Sequence, residues 1–311
     1  MIPKKMVDRY AHQSGVKDQL VAEREVVLTY ALHAMLEGKA LDLLAFKGGT
    51  CLRKFVFGST GRFSEDLDFT LRGPDDQEAL TAIYAVLNGK HHGVEFALDD
   101  WYETDDGFGM EVRYSHEWNS AGRFRLQVST REKPTLMVSP RAMVPQVYFA
   151  DMEFEPFEVP CLEVIEMASE KIRAAFQRAK VRDFYDLHLL TRQKLGGDLL
   201  RGLAVLKLWQ VRDGFDGKVF FEKLKSADYD WADLKRLLRP NDRVEPATII
   251  EGIAFHFKTL RDLTDLEREV VADARKAGHN EPLAERLREE IRGRFAVDEL
   301  TAEAEKHGLG Y

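Results

Sequence analysis

The chain has 311 residues, of which 44% are hydrophobic and 32% charged, as expected for a globular protein with one large or two medium-sized domains. The net charge of −8 excludes a chain that is basic throughout. No run approaches the ~20 apolar residues that a transmembrane helix needs. The N-terminal segment lacks the apolar core of a signal peptide, so a cytoplasmic location is expected. Cys51 and Cys161 form neither a C-x-x-C zinc motif nor a disulfide framework.

Helical and strand patterns alternate over the first 150 residues. Apolar residues at helical spacing predict a helix over residues 17–37, closed by Gly38. An apolar run at 43–46 predicts the first strand, and further helices are expected at 52–57 and 74–87. From residue 94 the period changes to two, which predicts an antiparallel extension of the sheet. Its strands are expected near 94–101, 108–116, 123–132 and 143–149.

Two aspartates in the stretch from Phe46 to Leu71 point to a metal site. Asp66 and Asp68 are two residues apart, so in a strand their side chains lie on one face, with Leu67 and Phe69 on the other. Carboxylates that close repel each other unless a cation lies between them. Mg²⁺ is the natural choice, because it prefers oxygen ligands and keeps room for water and phosphates.

A glycine loop precedes these aspartates. Gly48, Gly49 and Thr50 stand just before a predicted helix and offer backbone N–H groups, and Ser64 offers a hydroxyl, that could hold a triphosphate. A single D-x-D motif is common on surface strands, and a single Gly-Gly pair is usually a turn. The two together within about twenty residues favour a nucleotidyl-transfer site.

The segments GGTCLRKFVFG and GRFSEDLDF resemble the AbiEii-type nucleotidyltransferase toxins of bacterial toxin–antitoxin systems. The resemblance implies an α+β protein whose N-terminal half has the polymerase-β-like nucleotidyltransferase fold. It also implies transfer of a nucleoside monophosphate from an NTP to an RNA acceptor, the 3′ end of tRNA. The expected outcome is blocked translation, and the expected partner is a cognate antitoxin.

Enzymes of this superfamily use a further acid on a neighbouring strand. The strand expected to carry it is 124–129, and the aligned position is Gln127. An amide does not ionise, so it can neither act as a base nor add charge. The general base is therefore left open between Glu132 and an aspartate of the second half. The number of metal ions, one or two, is open as well.

From Cys161 onward the pattern is helical, which predicts domains at 1–158 and 159–311. The first helix is expected to run from Cys161 to Arg178, with an apolar stripe. Its members are Leu162, Ile165, Ile172, Phe176 and Ala179. Lys171 and Arg178 flank two alanines that leave space for a phosphate chain, and Lys171 suits the β and γ phosphates.

Asp183 and Asp186 follow in an R-D-x-x-D segment and share a helix face. In the resembling family, a lysine and an aspartate at these motif positions complete the active site. Lys171 would then neutralise phosphate charge with support from Arg178, and Asp186 would orient Lys171 or the acceptor hydroxyl, with Asp183 beside it. The alternative is an ordinary salt-bridged helix pair that also includes Arg182.

Charge and aromatic patterns in the second half are less specific. Residues 171–240 hold 16 basic and 9 acidic side chains, which indicates either a phosphate-binding surface or a solvated helical face. The aromatic residues beyond 195 are spaced as helix-core residues, and an RNA-stacking platform is the less favoured interpretation. Residues 265–294 predict exposed terminal helices, where an inhibitor could dock.

His91 and His92 form the one adjacent histidine pair in the chain. Neighbouring strand residues face opposite ways and no third ligand is apparent, so a surface turn is favoured over a metal site.

Two other functions remain open at this point. A protein that lost its general base, as Gln127 permits, could be a non-catalytic nucleotide- or RNA-binding module. A small-molecule nucleotidyltransferase of the antibiotic-modifying type would need a substrate cleft instead of a broad basic surface.

Overall fold

The computed structural model describes residues 1–178, 180–226, 229–239, 242, 245–276 and 278–306. Its contacts divide the chain into two compact units, Met1–Leu162 with Trp231–Arg243, and Glu163–Asp230 with Val244–Tyr311. The later segment belongs to the first unit; for example, the Phe63 N–H donates to the Leu237 carbonyl at 2.8 Å. The functional division at residues 158 and 159 stays a prediction.

The first unit contains a mixed eight-stranded sheet with the order β3-β4-β5-β6-β2-β1-β8-β7. Its strands are β1 (Leu44–Lys47), β2 (Asp66–Leu71), β3 (Gly89–His91), β4 (Val94–Thr104), β5 (Gly107–His116), β6 (Asn119–Ser129), β7 (Ser139–Ala142) and β8 (Glu158–Cys161). Strands β3 to β6 are antiparallel neighbours, as the period-two pattern predicts. Strand β6 then pairs in parallel with β2, which pairs antiparallel with β1.

The strand predicted at 143–149 is wrong. Strand β7 ends at Ala142, and a 3₁₀ helix covers Val147–Asp151. Pro145 lies between them, and a proline has no backbone N–H with which to continue a ladder.

Helices of the first unit are α1 (Lys4–Ser14), α2 (Gln19–Glu37), α3 (Gly48–Leu52) and α4 (Asp76–Val86), with α9 (Trp231–Lys235) added from the later segment. Helix α2 confirms the prediction at 17–37 and is buried on nearly all sides. Gly38 follows it with φ −82°, so the left-handed residue that turns the chain is Lys39, with φ 61°.

The second unit is helical throughout its described residues. Its helices are α5 (Val164–Arg178), α6 (Val181–Leu190), α7 (Gly197–Gln210), α8 (Gly217–Ser226), α10 (Pro246–His256), α11 (Asp265–Asp273) and α12 (Glu281–Lys306). Helix α5 begins at Val164, later than predicted, because Cys161 belongs to β8, where it pairs with Phe46 of β1. Ala179 of the predicted stripe lies outside the described residues.

Most of the aromatic residues beyond 195 are core residues, as the helical spacing predicts. Trp209, Phe215, Phe220, Phe221, Tyr229 and Phe257 are buried. Phe255 is 70% exposed, and Trp231 and Phe295 are half-buried. None of the helices in the described ranges combines the length and the apolarity needed to cross a bilayer.

Candidate active site

No loop separates β1 from α3, because Gly48 follows Lys47 as the first residue of the helix, so the predicted glycine loop, residues 48–50, is the first turn of α3. This turn is shaped by Gly48. Its φ of +81° lies in the left-handed region, and a Cβ placed on it would overlap the carboxylate of Asp68. Only glycine meets both requirements, since any other side chain would strain the backbone and displace the carboxylate. The backbone of the loop therefore lies directly against one of the predicted metal ligands.

Gly49 brings the loop close to a second polar group. A Cβ on Gly49 would overlap the Arg62 guanidinium and lie 3.1 Å from the Ser64 hydroxyl oxygen. Two predicted nucleotide-binding residues, Gly49 and Ser64, are thus neighbours. Arg62 was not predicted from the sequence, although it stands in the same GRFS segment.

The side chain of Thr50 makes a hydrogen bond within the fold. The residue is fully buried, and its hydroxyl donates to the backbone carbonyl of Asp66 at 2.5 Å. The side chain therefore fastens this segment to the start of β2. The predicted role of Thr50 in triphosphate binding depends on its backbone N–H and stays a prediction.

The two aspartates of β2 lie on one face of the sheet. Leu67 and Phe69 alternate with them and are fully buried, which confirms the expected orientation of the strand. Asp66 and Asp68 are half-buried, and the Asp66 side chain is 29% exposed. Two carboxylates on one face, beside a glycine loop, form a donor set of hard oxygens that fits a divalent ion such as Mg²⁺.

Arg125 supplies positive charge beside these acids. It is paired with Asp66 across β2 and β6, and its Nε and Nη2 lie 3.3 and 3.4 Å from the two carboxylate oxygens of Asp66. The carboxylates of Asp66 and Asp68 raise the pKa of Arg125. Arg125 is not among the site residues predicted from the sequence.

Gln127 occupies the position predicted for it. In the parallel pairing of β2 and β6 it lies directly opposite Asp68. Its Nε2 donates to the hydroxyl of Tyr102 at 2.9 Å, across Gly109. Asp68 is also paired with Lys47 on its other side, in β1. Glu132, the alternative base, follows three residues after the end of β6.

Tyr102 reaches this face because of a bulge. The register of β4 against β5 shifts between Leu98 and Trp101, which inserts one residue and reverses the side-chain alternation. Phe96 and Tyr102 both have even numbers, so strict alternation would place them on one face. Phe96 faces the core and is 1% exposed, whereas Tyr102 faces the aspartates and lies over Gly109. No alternation rule applied to the sequence alone would assign Tyr102 to the site.

A buried polar network lies beneath the loop. Residues Arg53–Phe57 form a π-helical turn after α3. The Lys54 ammonium donates to a carboxylate oxygen of Glu25 and to the Thr29 hydroxyl, both at 2.9 Å. Arg53 donates to the Tyr10 hydroxyl at 3.1 Å. Because buried charges need partners, this network holds the segment behind the glycine loop in one position.

The second unit brings its four predicted residues into one cluster. The Lys171 ammonium lies 3.1 Å from Asp183 and 2.8 Å from Asp186. Arg178 donates to both carboxylate oxygens of Asp183, at 2.9 and 3.1 Å. Both aspartates are buried, while the Lys171 side chain is 10% exposed and that of Arg178 is 54% exposed. The cluster therefore balances two carboxylates against two cations.

Asp183 is ionised in this cluster. Burial opposes its ionisation, but the charges of Lys171 and Arg178 and their hydrogen bonds outweigh burial and hold the pKa of Asp183 well below its ordinary value. A second ion pair lies nearby on α5, where Glu166 accepts from Lys207 at 2.7 Å with both residues buried. Helix α5 is thus fixed by charged groups as well as by its apolar stripe.

Part of the basic excess in 171–240 is internal. Lys171, Arg201 and Lys207 are buried and paired with carboxylates, so they do not belong to an exposed surface. Residues 231–240 also lie in the first unit. Part of the basic excess counted in the sequence therefore lies in buried ion pairs and not on a surface.

Comparison with known proteins decides the identity of the chain. The family model described as "Nucleotidyl transferase AbiEii toxin, Type IV TA system" matches residues 31–303. The chain belongs to this AbiEii family. It is therefore a nucleotidyltransferase toxin of a type IV toxin–antitoxin system, and family membership implies an NTP substrate, a divalent metal and an antitoxin partner.

The AbiEii fold is supported by a solved structure. MenT4, a nucleotidyltransferase toxin from Mycobacterium tuberculosis H37Rv, matches with a TM-score of 0.79 and 24% identity, over 94% of this chain and 100% of that chain. At this identity the likeness shows the fold alone. None of the curated proteins compared matches the chain.

Proposed function

We propose that this AbiEii protein transfers a nucleoside monophosphate from an NTP to the 3′ end of tRNA, with Mg²⁺ as the metal and pyrophosphate as the second product. The modified tRNA no longer supports translation. The cognate antitoxin restrains the enzyme. The reaction takes place in the cytoplasm, where NTPs and tRNA are present together.

One observation carries the proposal: the Asp68 carboxylate, in the strand β2 that also carries Asp66, lies against Gly48 at the start of α3. A triphosphate held by the backbone N–H groups of the glycine loop would have its phosphates beside both carboxylates. The Ser64 hydroxyl is next to the same loop and adds a side-chain donor.

Asp66 and Asp68 would hold Mg²⁺, which supplies charge stabilisation at the α-phosphate when bound. The two carboxylates are close in sequence and share a face, so their mutual repulsion favours a cation between them. Arg125 lies beside them and offsets part of their charge in the absence of the ion.

In the transfer, an oxygen of the acceptor hydroxyl forms a bond to the α-phosphorus, and the bond from that phosphorus to the pyrophosphate oxygen breaks. Gln127 cannot accept the hydroxyl proton, so another group must take it. Lys171 and Arg178 would neutralise phosphate charge. Asp183 and Asp186 hold Lys171 in place through ion pairs at 3.1 and 2.8 Å.

The proposal is tested by incubating the full chain with Mg²⁺, bulk tRNA and each NTP labelled at the α-phosphate. Label on the 3′ end of tRNA is the expected result, with a stoichiometric release of pyrophosphate. Transfer to a small acceptor in place of RNA, or nucleotide binding without turnover, would contradict the tRNA assignment.

Variants locate the activity. Asp66→Asn and Lys171→Met should each lower kcat/KM at least ~100-fold, since removal of a single group that stabilises transition-state charge costs about that much. Asp42→Asn and Lys218→Met change exposed residues of the same two units and serve as matched controls. Circular dichroism would show that the folds are intact. Each variant is assayed below its own Tm, because Lys171→Met removes a cation from two buried carboxylates and should melt at a lower temperature. Full activity in either test variant would reject its assigned role.

A further inference from the structure

Three histidines and a glutamate from separate parts of the first unit converge away from the aspartates. His33 and Glu37 are one turn apart near the end of α2, His91 ends β3, and His92 follows it. One ligand atom from each of the four lies within 4.8 Å of all the others. Strands β4, β5 and β6 separate β3 from β2, so this group shares no strand with Asp66 and Asp68.

The distances within the group are short. His33 Nδ1 and His91 Nε2 are 2.9 Å apart and share a hydrogen bond. The carboxylate of Glu37 faces the other nitrogen of each ring, with Oε1 3.9 Å from His33 Nε2 and Oε2 3.7 Å from His91 Nδ1. The rings of His91 and His92 have centroids 4.5 Å apart. Four ligands at a tetrahedral Zn²⁺, each about 2.0–2.1 Å from the ion, are about 3.3 Å from one another. One ligand atom from each residue lies within 4.8 Å of the others, so side-chain rotations that shorten these distances by about 1.5 Å would reach that spacing.

The turn expected from the sequence is present at His92 and Gly93, and further candidate ligands that the sequence did not reveal lie beside it. His92 has φ +44°, in the left-handed region, and Gly93 follows with φ +78°. Adjacent residues face opposite ways only in an extended strand. At this turn both His91 and His92 are directed to α2, where His33 and Glu37 supply the remaining donors. Their separation in sequence, more than fifty residues, hid them from a motif search.

We propose that His33, Glu37, His91 and His92 form a site for a zinc-class transition-metal ion, which ties the edge hairpin β3–β4 to the end of α2. Imidazole nitrogens suit Zn²⁺, Ni²⁺ and Cu²⁺ and are poor ligands for Mg²⁺, so the ion differs in kind from the one held by the aspartates. Four protein donors form a closed set, which is typical of structural zinc sites.

The surroundings of the cluster support metal binding. Glu153 Oε2 lies 3.3 Å from His92 Nδ1, an arrangement that leaves the other ring nitrogen of His92 for a metal and fixes the ring. His33 is stacked on Phe154, with ring centroids 3.8 Å apart.

Titration of the metal-stripped full chain tests the site. The protein is treated with EDTA, dialysed, and titrated with ZnCl₂ by calorimetry, and bound zinc is then counted by mass spectrometry. One zinc ion per chain, bound at about 1 µM or tighter, and a zinc-dependent rise in Tm are expected. Cobalt(II) should give the intense visible absorption of a tetrahedral complex. The absence of zinc binding at 100 µM overturns the proposal.

Variants assign the ligands. His91→Gln and Glu37→Gln should weaken zinc binding, His91→Gln at least ~100-fold, and Glu153→Gln should weaken it about 10-fold through loss of ring orientation. Glu37 is 58% exposed, so its variant tests the site even if a histidine variant fails to fold. His12→Gln, at an exposed position of α1, is the matched control.

Two further outcomes separate this site from the aspartates. The double variant Asp66→Asn, Asp68→Asn should bind zinc as tightly as the unaltered chain, and 5 mM Mg²⁺ should not displace the zinc. Zinc binding that persists in His91→Gln and Glu37→Gln but is lost with the aspartates would reject the assignment to the histidine cluster.

Discussion

Asp68 and Gln127 lie directly opposite each other on the parallel strands β2 and β6. An amide therefore stands beside one of the two site carboxylates, where related nucleotidyltransferases are expected to carry a further acid. Its Nε2 is held by the Tyr102 hydroxyl at 2.9 Å, so the side chain is fixed in place. The site therefore carries one negative charge fewer than it would with an acid at residue 127.

Gln127→Glu restores that charge, and we expect it to increase the dependence of stability on Mg²⁺. A third carboxylate adds repulsion in the absence of a cation and adds a hard oxygen ligand in its presence. Tm should fall without Mg²⁺ and rise further than in the unaltered chain when 10 mM MgCl₂ is added. Gln127→Met, which removes the amide without adding charge, is the control. If MgCl₂ raises the Tm of Gln127→Glu and of Gln127→Met by the same amount, the metal does not bind beside residue 127.

Gly48→Ala should impair both stability and activity. The residue has φ +81°, and the added methyl group would overlap the Asp68 carboxylate. A left-handed conformation at a non-glycine residue costs about 1–3 kcal/mol in the free energy of unfolding, and the displaced carboxylate should weaken Mg²⁺ binding. Urea unfolding and Mg²⁺ titration measure the two effects. Gly89→Ala is the control, because nothing lies within 4 Å of its Cβ position; equal losses in both variants would contradict the close approach.

Much of this arrangement follows from local rules. The alternation of Asp66 and Asp68 with buried Leu67 and Phe69 fixes the orientation of β2, and the spacing of Asp183 and Asp186 places both on one helix face. Such patterns depend only on the backbone period, and so the sequence predicts them.

Other parts depend on contacts between distant segments. Tyr102 joins the site only because a bulge in β4 reverses the alternation, and a bulge leaves no signal in a single sequence. Arg53 and Lys54 stand in a predicted amphipathic helix but are buried against Glu25 of α2. Their burial depends on ion pairing across the first unit. The segment 231–243 has the same helical pattern as its neighbours, yet it packs with the sheet-containing unit.

Asp183→Asn should lower stability in a pH-dependent way. The folded-state pKa of Asp183 is held below its ordinary value of about 4, so its ionised form stabilises the fold above pH ~4, and this contribution is lost as the pH falls below that value. Loss of one partner of a buried ion pair costs about 3–5 kcal/mol. Urea unfolding at pH 7 should show this loss, and the difference from the unaltered chain should shrink toward pH 3.

Asp198→Asn provides the control for that experiment. Asp198 pairs with Arg201 at 2.6 Å, but its side chain is 64% exposed, so its loss should cost no more than about 1 kcal/mol. If the two variants lose equal stability at pH 7, or if the loss in Asp183→Asn is independent of pH, the buried ion pair is not the source of the effect.

Arg125→Met should lower the Mg²⁺ concentration that gives half-maximal transfer. The Arg125 guanidinium lies 3.3 and 3.4 Å from the Asp66 carboxylate, and its positive charge opposes the arrival of a cation there. Because Arg125 is 61% exposed, water and salt screen the effect, and a shift of about 2- to 5-fold is expected, larger at low ionic strength.

Arg123→Met is the matched control for this last variant. Arg123 lies on the same strand and pairs with Glu111 at 2.9 Å, away from the aspartates. Mg²⁺ titrations of all three proteins at saturating NTP, repeated at 50 and 500 mM NaCl, measure the shift. If Arg125 instead binds the triphosphate, its variant will raise KM for the NTP and leave the Mg²⁺ midpoint unchanged. The two outcomes therefore distinguish a counter-charge for Asp66 from a ligand of the nucleotide.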